Sequence, residues 1–197
     1  MDFGLIYKRV INLIINPKSE WENIKLENIS KKDAVKKYAI PLILLLTIST
    51  FLGNLFYTSR LTIHPLYPLI SAAAMFIIVY AGTYLSAILI NELTSSFNSK
   101  KNLNATFTLV IHSLTAFFIF TSLAYVLPEP FYEVRYFGIY SLYLFWLGSS
   151  SLLDTPVDNK VGFTFVSTLI ILGIYAVLSM VFSRIIGGIF GLGLIEK

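Results

Sequence analysis

Five long stretches of this chain, 38–59, 61–91, 102–128, 136–153 and 161–183, contain no Asp, Glu, Lys or Arg. A bilayer core about 30 Å thick is crossed by a helix of about 20 mostly apolar residues. In hydrocarbon every peptide N–H and C=O must be satisfied by the protein itself, and a helix does this within its own segment. Each stretch therefore reads as one membrane-crossing helix. Charged residues make up only 13% of the 197 residues, against roughly 25% in soluble domains. Too little polar surface remains to clothe a particle in water. The expected fold is all-α, an integral membrane bundle of five transmembrane helices preceded by an interfacial amphipathic helix. The expected spans are about 38–59, 66–93, 103–127, 136–153 and 156–184, forming a domain 38–197 behind a basic N-terminal segment, 1–37.

That segment carries most of the charge information. Eight of the fifteen Lys and Arg fall within the first 37 residues. The basic pI of 9.2 thus points to a membrane surface and not to nucleic acid, because Lys31, Lys32, Lys36 and Lys37 sit directly before the first span, where they suit lipid headgroups. With the N-terminus inside, cytoplasmic segments hold eleven basic residues and the far side four, namely Arg60, Arg135, Arg184 and Lys197. The expected topology places the N-terminus in the cytoplasm and the C-terminus across the membrane.

Residues 3–15 are apolar at helical spacing: Phe3, Ile6, Tyr7, Val10, Leu13 and Ile14 share one arc, with Lys8, Arg9, Asn12 and Asn16 opposite. Such a helix lies in the membrane surface with its apolar side down. "MDFGLIYKRV" has neither the basic start nor the continuous apolar run of a secretory signal. Next, Asn16 reads as an N-cap with Pro17 at the first helical position, and Trp21 as a headgroup-layer side chain. Ser30 with Asp33 forms a capping pattern, and Asp33 precedes Lys37 by four residues, a favourable pair. Pro41 is expected to kink the first span, and Gly82 with Ser86 gives the second a face where another helix can come close. Gly187 and Gly191 have the same small-residue spacing in the tail.

The candidates for chemistry are few. "DTPVDNK" places Asp154 and Asp158 four apart between two apolar runs, but a cap at Thr155, Pro156 at the first helical position and Asp158 on the helix dipole explain them as a turn. "GSSS", 148–151, lacks the glycine after the serine of a nucleophile elbow, which leaves Ser150 as a hydroxyl at a helix end. Arg184 reads as a side chain that snorkels to the headgroups. Thr108, His112, Thr115 and Ser122 form a polar stripe within the third span that must face other helices. It reads as an interhelical hydrogen-bond seam, the alternative being a proton-linked or solute-binding site. The chain has no cysteine, so disulfides and thiolate metal sites are excluded. No catalytic, cofactor-binding or metal-binding residue is expected.

Two stretches together resemble the Yip1 family of multi-pass membrane proteins. "RVINLIINPKSEWENI" is similar to the amphipathic segment and Asn-Pro-x-x-x-Trp pattern of prokaryotic members, here Asn16, Pro17 and Trp21. "YSLYLFWLGSSSLLDTPVDNKVGFT" is similar to that family's aromatic helix, Leu-Gly, Thr-Pro and Gly-aromatic-Thr, here with Gly148, Thr155, Pro156, Asp158 and Gly162. Asp154 and Phe163 stand where a basic residue and a tyrosine are expected. The resemblance implies five spans and a non-catalytic scaffold or adaptor that contacts membrane lipids and other membrane proteins or a second copy of itself. A small-solute or proton-linked transporter component is the alternative. The long polar N-terminal region of eukaryotic members is not seen, so the expected location is a prokaryotic plasma membrane.

Overall fold

The computed structural model describes residues 3–58, 64–128 and 130–190, and every element among them is helical. Two short helices, α1 (Phe3–Ile15) and α2 (Pro17–Glu27), precede α3, which runs Lys31–Phe56. Then follow α4 (Tyr67–Leu93), α5 (Leu103–Ser113), α6 (Thr115–Val126), α7 (Tyr140–Leu153) and α8 (Val157–Phe190). Among the described residues, four helical stretches are long and apolar enough to cross a membrane: Lys31–Phe56, Tyr67–Phe97, Leu103–Val126 and Val157–Phe190. The uncharged run 136–153 is not among them. Its α-helical part, Tyr140–Leu153, rises only about 21 Å, and a 3₁₀ run, Phe131–Ile139, leads into it along α6. Arg60, Lys197 and Gly191 lie outside the described residues.

The loops at one end are tied by hydrogen bonds, which fixes how the helices line up. The Lys31 N–H donates to Asn104 Oδ1 (3.1 Å) and the Lys100 N–H to the Leu153 carbonyl (2.8 Å). Asn159 Nδ2 donates to the Phe97 carbonyl (3.1 Å). The starts of α3, α5 and α8 and the ends of α4 and α7 therefore share one lysine-rich end. At that end Asn28, Asn98 and Asp154 adopt left-handed backbone conformations as helices stop, a role for which short polar side chains are suited.

Two of the sequence expectations about α3 hold in detail. Ser30 Oγ accepts the Asp33 N–H (3.1 Å), and Lys37 Nζ pairs with Asp33 Oδ1 (2.9 Å). The proline takes effect as a widened turn: Ala34–Ala39 is π-helical, with the Ile40 N–H reaching back five residues to the Val35 carbonyl. Pro41 has no N–H to offer, so the ladder loosens just before it. The wide turn buries Ala34, Tyr38 and Ala39 while leaving Lys36 and Lys37 outside.

Glycine permits close approach at several contacts, Gly82 and Gly148 among them. Gly82 on α4 receives the Tyr175 ring of α8; a Cβ there would lie 2.8 Å from Tyr175 Cε2. The Tyr175 hydroxyl donates to the Val79 carbonyl (3.3 Å) and accepts from Thr83 Oγ1 (2.9 Å), closing the α4–α8 contact. Gly148 on α7 is flanked by Trp21 and Leu109, either of which would sit 2.7 Å from an added Cβ. We predict that Gly148→Ala costs about 1–3 kcal/mol by overpacking, read as a lower unfolding midpoint in detergent. Trp21→Leu, introduced into that background, should recover part of the loss.

Candidate functional site

Helices α1 and α2 form an antiparallel hairpin around a buried acid. Glu20 is 5% exposed. One of its oxygens accepts from Arg9 Nε (3.0 Å), the other from Asn12 Nδ2 (3.0 Å) and Asn23 Nδ2 (3.2 Å). Arg9 also donates through Nη2 to Glu27 (2.5 Å). A carboxylate this deep is tolerable only with its lone pairs filled. This corrects the sequence reading of α1: Arg9 and Asn12, assigned to the outward polar arc, turn inward onto α2. Val10 and Leu13 of the apolar arc are buried, whereas Phe3 and Tyr7 are exposed. Pro17 opens α2 as expected, but Asn16 at the cap position makes no side-chain cap bond.

The hairpin is fastened to the bundle by Trp21. This indole is fully buried, so it is a core group and not a headgroup anchor. It fills the notch that Gly148 leaves in α7. Tyr140 at the start of α7 donates to the Ile14 carbonyl (3.1 Å), one of the carbonyls a helix C-terminus leaves free. Lys25 pairs loosely with Asp154 (3.5 Å), and Ser151 donates to Glu22 (2.9 Å). Hence the two sequence stretches that carry the family resemblance, far apart in the chain, are partners in space.

His112 lies beneath this hairpin, 1% exposed, at the break between α5 and α6. Its ring stacks on Tyr38 (centroids 4.2 Å apart, planes 11° apart) and meets Trp21 edge-on at 6.3 Å. Nδ1 is 2.8 Å from the Thr108 carbonyl; a carbonyl only accepts, so Nδ1 carries the proton and Nε2 the lone pair. Thr115 Oγ1 donates to the His112 carbonyl (2.7 Å) and accepts from the Tyr38 hydroxyl (2.8 Å). A side chain taking a carbonyl from the helix ladder is a recognised cause of a kink. Thr115 and His112 are therefore brought together with Tyr38, whereas the buried Thr108 hydroxyl has no hydrogen bond. A cleft of about 760 Å³ opens above, lined on its several sides by Leu5, Arg9, Ile29, Lys37, Tyr38 and His112 among others.

The remaining candidates are dispersed. Asp154 ends α7 and faces Lys25, while Asp158 is exposed in the first turn of α8. Thr155 does not cap α8 as expected: its hydroxyl donates to the Ser149 carbonyl (3.0 Å) and accepts from Ser99 (2.9 Å). Pro156 precedes the first residue of α8, Val157. Gly162 accommodates the Phe97 ring, which would be 3.0 Å from an added Cβ. Among the lysines, Lys31 is engaged internally, donating to the Tyr84 hydroxyl (2.6 Å) and lying over the Tyr84 and Phe107 rings, whereas Lys32 and Lys36 are exposed. Ser149 donates to the Trp146 carbonyl, and Ser150 hydrogen-bonds to no base among the described residues. Sequence reasoning missed Glu20 and Tyr38. The signal for Glu20 was its place at helical spacing among Pro17, Trp21 and Ile24, which form the buried face of α2.

These helices define a multi-pass membrane protein whose N-terminal hairpin is built into its helical bundle. The family pattern described as "Yip1 domain" matches residues 11–192, and the chain belongs to the Yip1 family. No curated protein and no solved structure matches it.

Removing Glu20 leaves Arg9 without its buried partner. Glu20→Ala should destabilise the protein by about 3–5 kcal/mol, measured by thermal unfolding in detergent. The double change Glu20→Leu with Arg9→Met should be much milder than the single one.

Proposed function

We propose that this protein is a non-catalytic scaffold or adaptor, organising the bilayer and recruiting other membrane proteins or a second copy of itself through helix faces. The observation that carries this reading is the surface of the lysine-rich end. Lys32 and Lys36 are exposed there beside the first span, and Lys37, though paired with Asp33, is 76% exposed. Lysines at this level attract anionic headgroups by about 1 kcal/mol each. Meanwhile Glu20, Tyr38 and Thr115 are engaged in bonds that hold helices together, which supports structural work for the buried polar groups. Crosslinking in the native membrane, read by mass spectrometry, tests the proposal. Reproducible partners are expected, and their recovery should fall when the exposed Lys32, Lys36 and Lys37 are all changed to Glu. Absence of any reproducible partner would count against it.

The proposed topology has five spans, α7 with its 3₁₀ lead-in supplying the fifth, a cytoplasmic N-terminus and the C-terminus on the far side. The Asn16, Pro17 and Trp21 pattern, which resembles prokaryotic members, supports a plasma membrane. Because the chain contains no cysteine, single-cysteine labelling is clean. Ser30→Cys and Ser96→Cys, both at exposed positions, should label only from the cytoplasm and Glu133→Cys only from outside; labelling of all three from one side would overturn the topology.

A second reading, a small-solute or proton-linked transporter component, draws on His112 at the floor of a cleft. Flux in proteoliposomes that is lost in His112→Ala would favour it over the scaffold.

A further inference from the structure

The cleft between α1 and the start of α3 has an inner end with hydrogen-bonding capacity that the protein leaves unused. His112 is almost wholly buried and lines this cleft. Its Nδ1–H is committed to the Thr108 carbonyl, and its Nε2 lone pair makes no hydrogen bond among the described residues. On the wall, Arg9 uses Nε for Glu20 and Nη2 for Glu27, while Nη1 is buried without a partner. One acceptor, His112 Nε2, is thus unfilled at the inner end of the recess. Arg9 Nη1 is closed off by its surroundings, so the His112 acceptor is the group that a hydroxyl entering the cleft can satisfy.

Charge narrows the ligand. The cleft is lined by Arg9 and Lys37, but also by Glu27 and Asp33, and Glu20 stands behind Arg9. The cations are already matched by acids, so the recess is no anion trap. Its rim is apolar, formed by Leu5, Ile6 and Ile29, with Leu5 66% exposed. A volume of about 760 Å³ is of the size that holds small amphiphiles. We infer that this cleft binds an uncharged lipid with a free hydroxyl, of the diacylglycerol class: the hydroxyl donates to His112 Nε2, and the acyl chains leave past Leu5 and Ile6. The inference rests on the membrane setting but not on the scaffold role, so loss of partner crosslinks would leave it standing.

The test uses the full chain in nanodiscs with a photoreactive diacylglycerol, and maps the labelled residues by mass spectrometry. Labelling is expected in 3–10, 27–38 and 105–113. His112→Phe keeps a flat ring against Tyr38 but removes the acceptor, and should lower labelling about threefold to tenfold, the value of one hydrogen bond. Ile6→Trp fills the rim without touching His112 and should lower it as well, and an unchanged unfolding midpoint in either variant shows that the fold is kept. The same probe with its hydroxyl acetylated should label weakly. Equal labelling by the acetylated probe, displacement by phosphatidylglycerol as effective as by unlabelled diacylglycerol, or labels spread evenly over the lipid-exposed face of α8 would each overturn the assignment.

Discussion

A carboxylate cannot stay buried among apolar helices without partners, and Glu20 obtains its three from residues on both arms of one hairpin. That demand holds α1 against α2. The hairpin in turn sets Trp21 at the angle at which its indole enters the Gly148 notch, and the indole edge forms one wall around His112. The N-terminal segment is therefore part of the bundle's interior, joined to it by one saturated acid and one aromatic side chain.

The break in the third long helix follows from the same arrangement. Thr115 takes the His112 carbonyl with its hydroxyl and is itself held by Tyr38. Tyr38 reaches that position because the π-helical turn before Pro41 rotates it inward. A missing N–H in one helix and a diverted carbonyl in another thus meet at a single stacked pair of rings. Regular helices on both sides would have left Tyr38 and His112 without this register.

Local rules were readable in the sequence, and long-range partnerships were not. Charge-free runs marked the long apolar helices because lipid admits so few alternatives. Ser30, Asp33 and Lys37 were legible because their partners lie within one turn, and Gly82 because only a small residue leaves such room. Trp21 was misread: an amphipathic ring near a basic segment fits the headgroups equally well, and nothing nearby reveals that Gly148 waits for it. Arg9 and Asn12 were misread because helical periodicity separates polar from apolar faces but cannot say that a polar face meets a buried acid. Thr155 followed the pattern of a cap, yet the turn it belongs to closes on Ser149 and Ser99 instead. Of the candidate site, His112 and Thr115 were visible, while Tyr38 and Glu20 were hidden by long-range pairing.

Helix α8 stands apart from its neighbours in one respect. Only 6% of its most apolar stretch is buried, against 39–56% in the other three long helices, and it has 34 residues. Its rise of about 51 Å exceeds a hydrocarbon layer of about 30 Å. A rod longer than its medium must lean or thicken what surrounds it. Since α8 is gripped mainly along the seam where Tyr175 meets Gly82, that seam is the axle about which its lean adjusts. Membranes of unequal thickness would then hold the same chain at different inclinations.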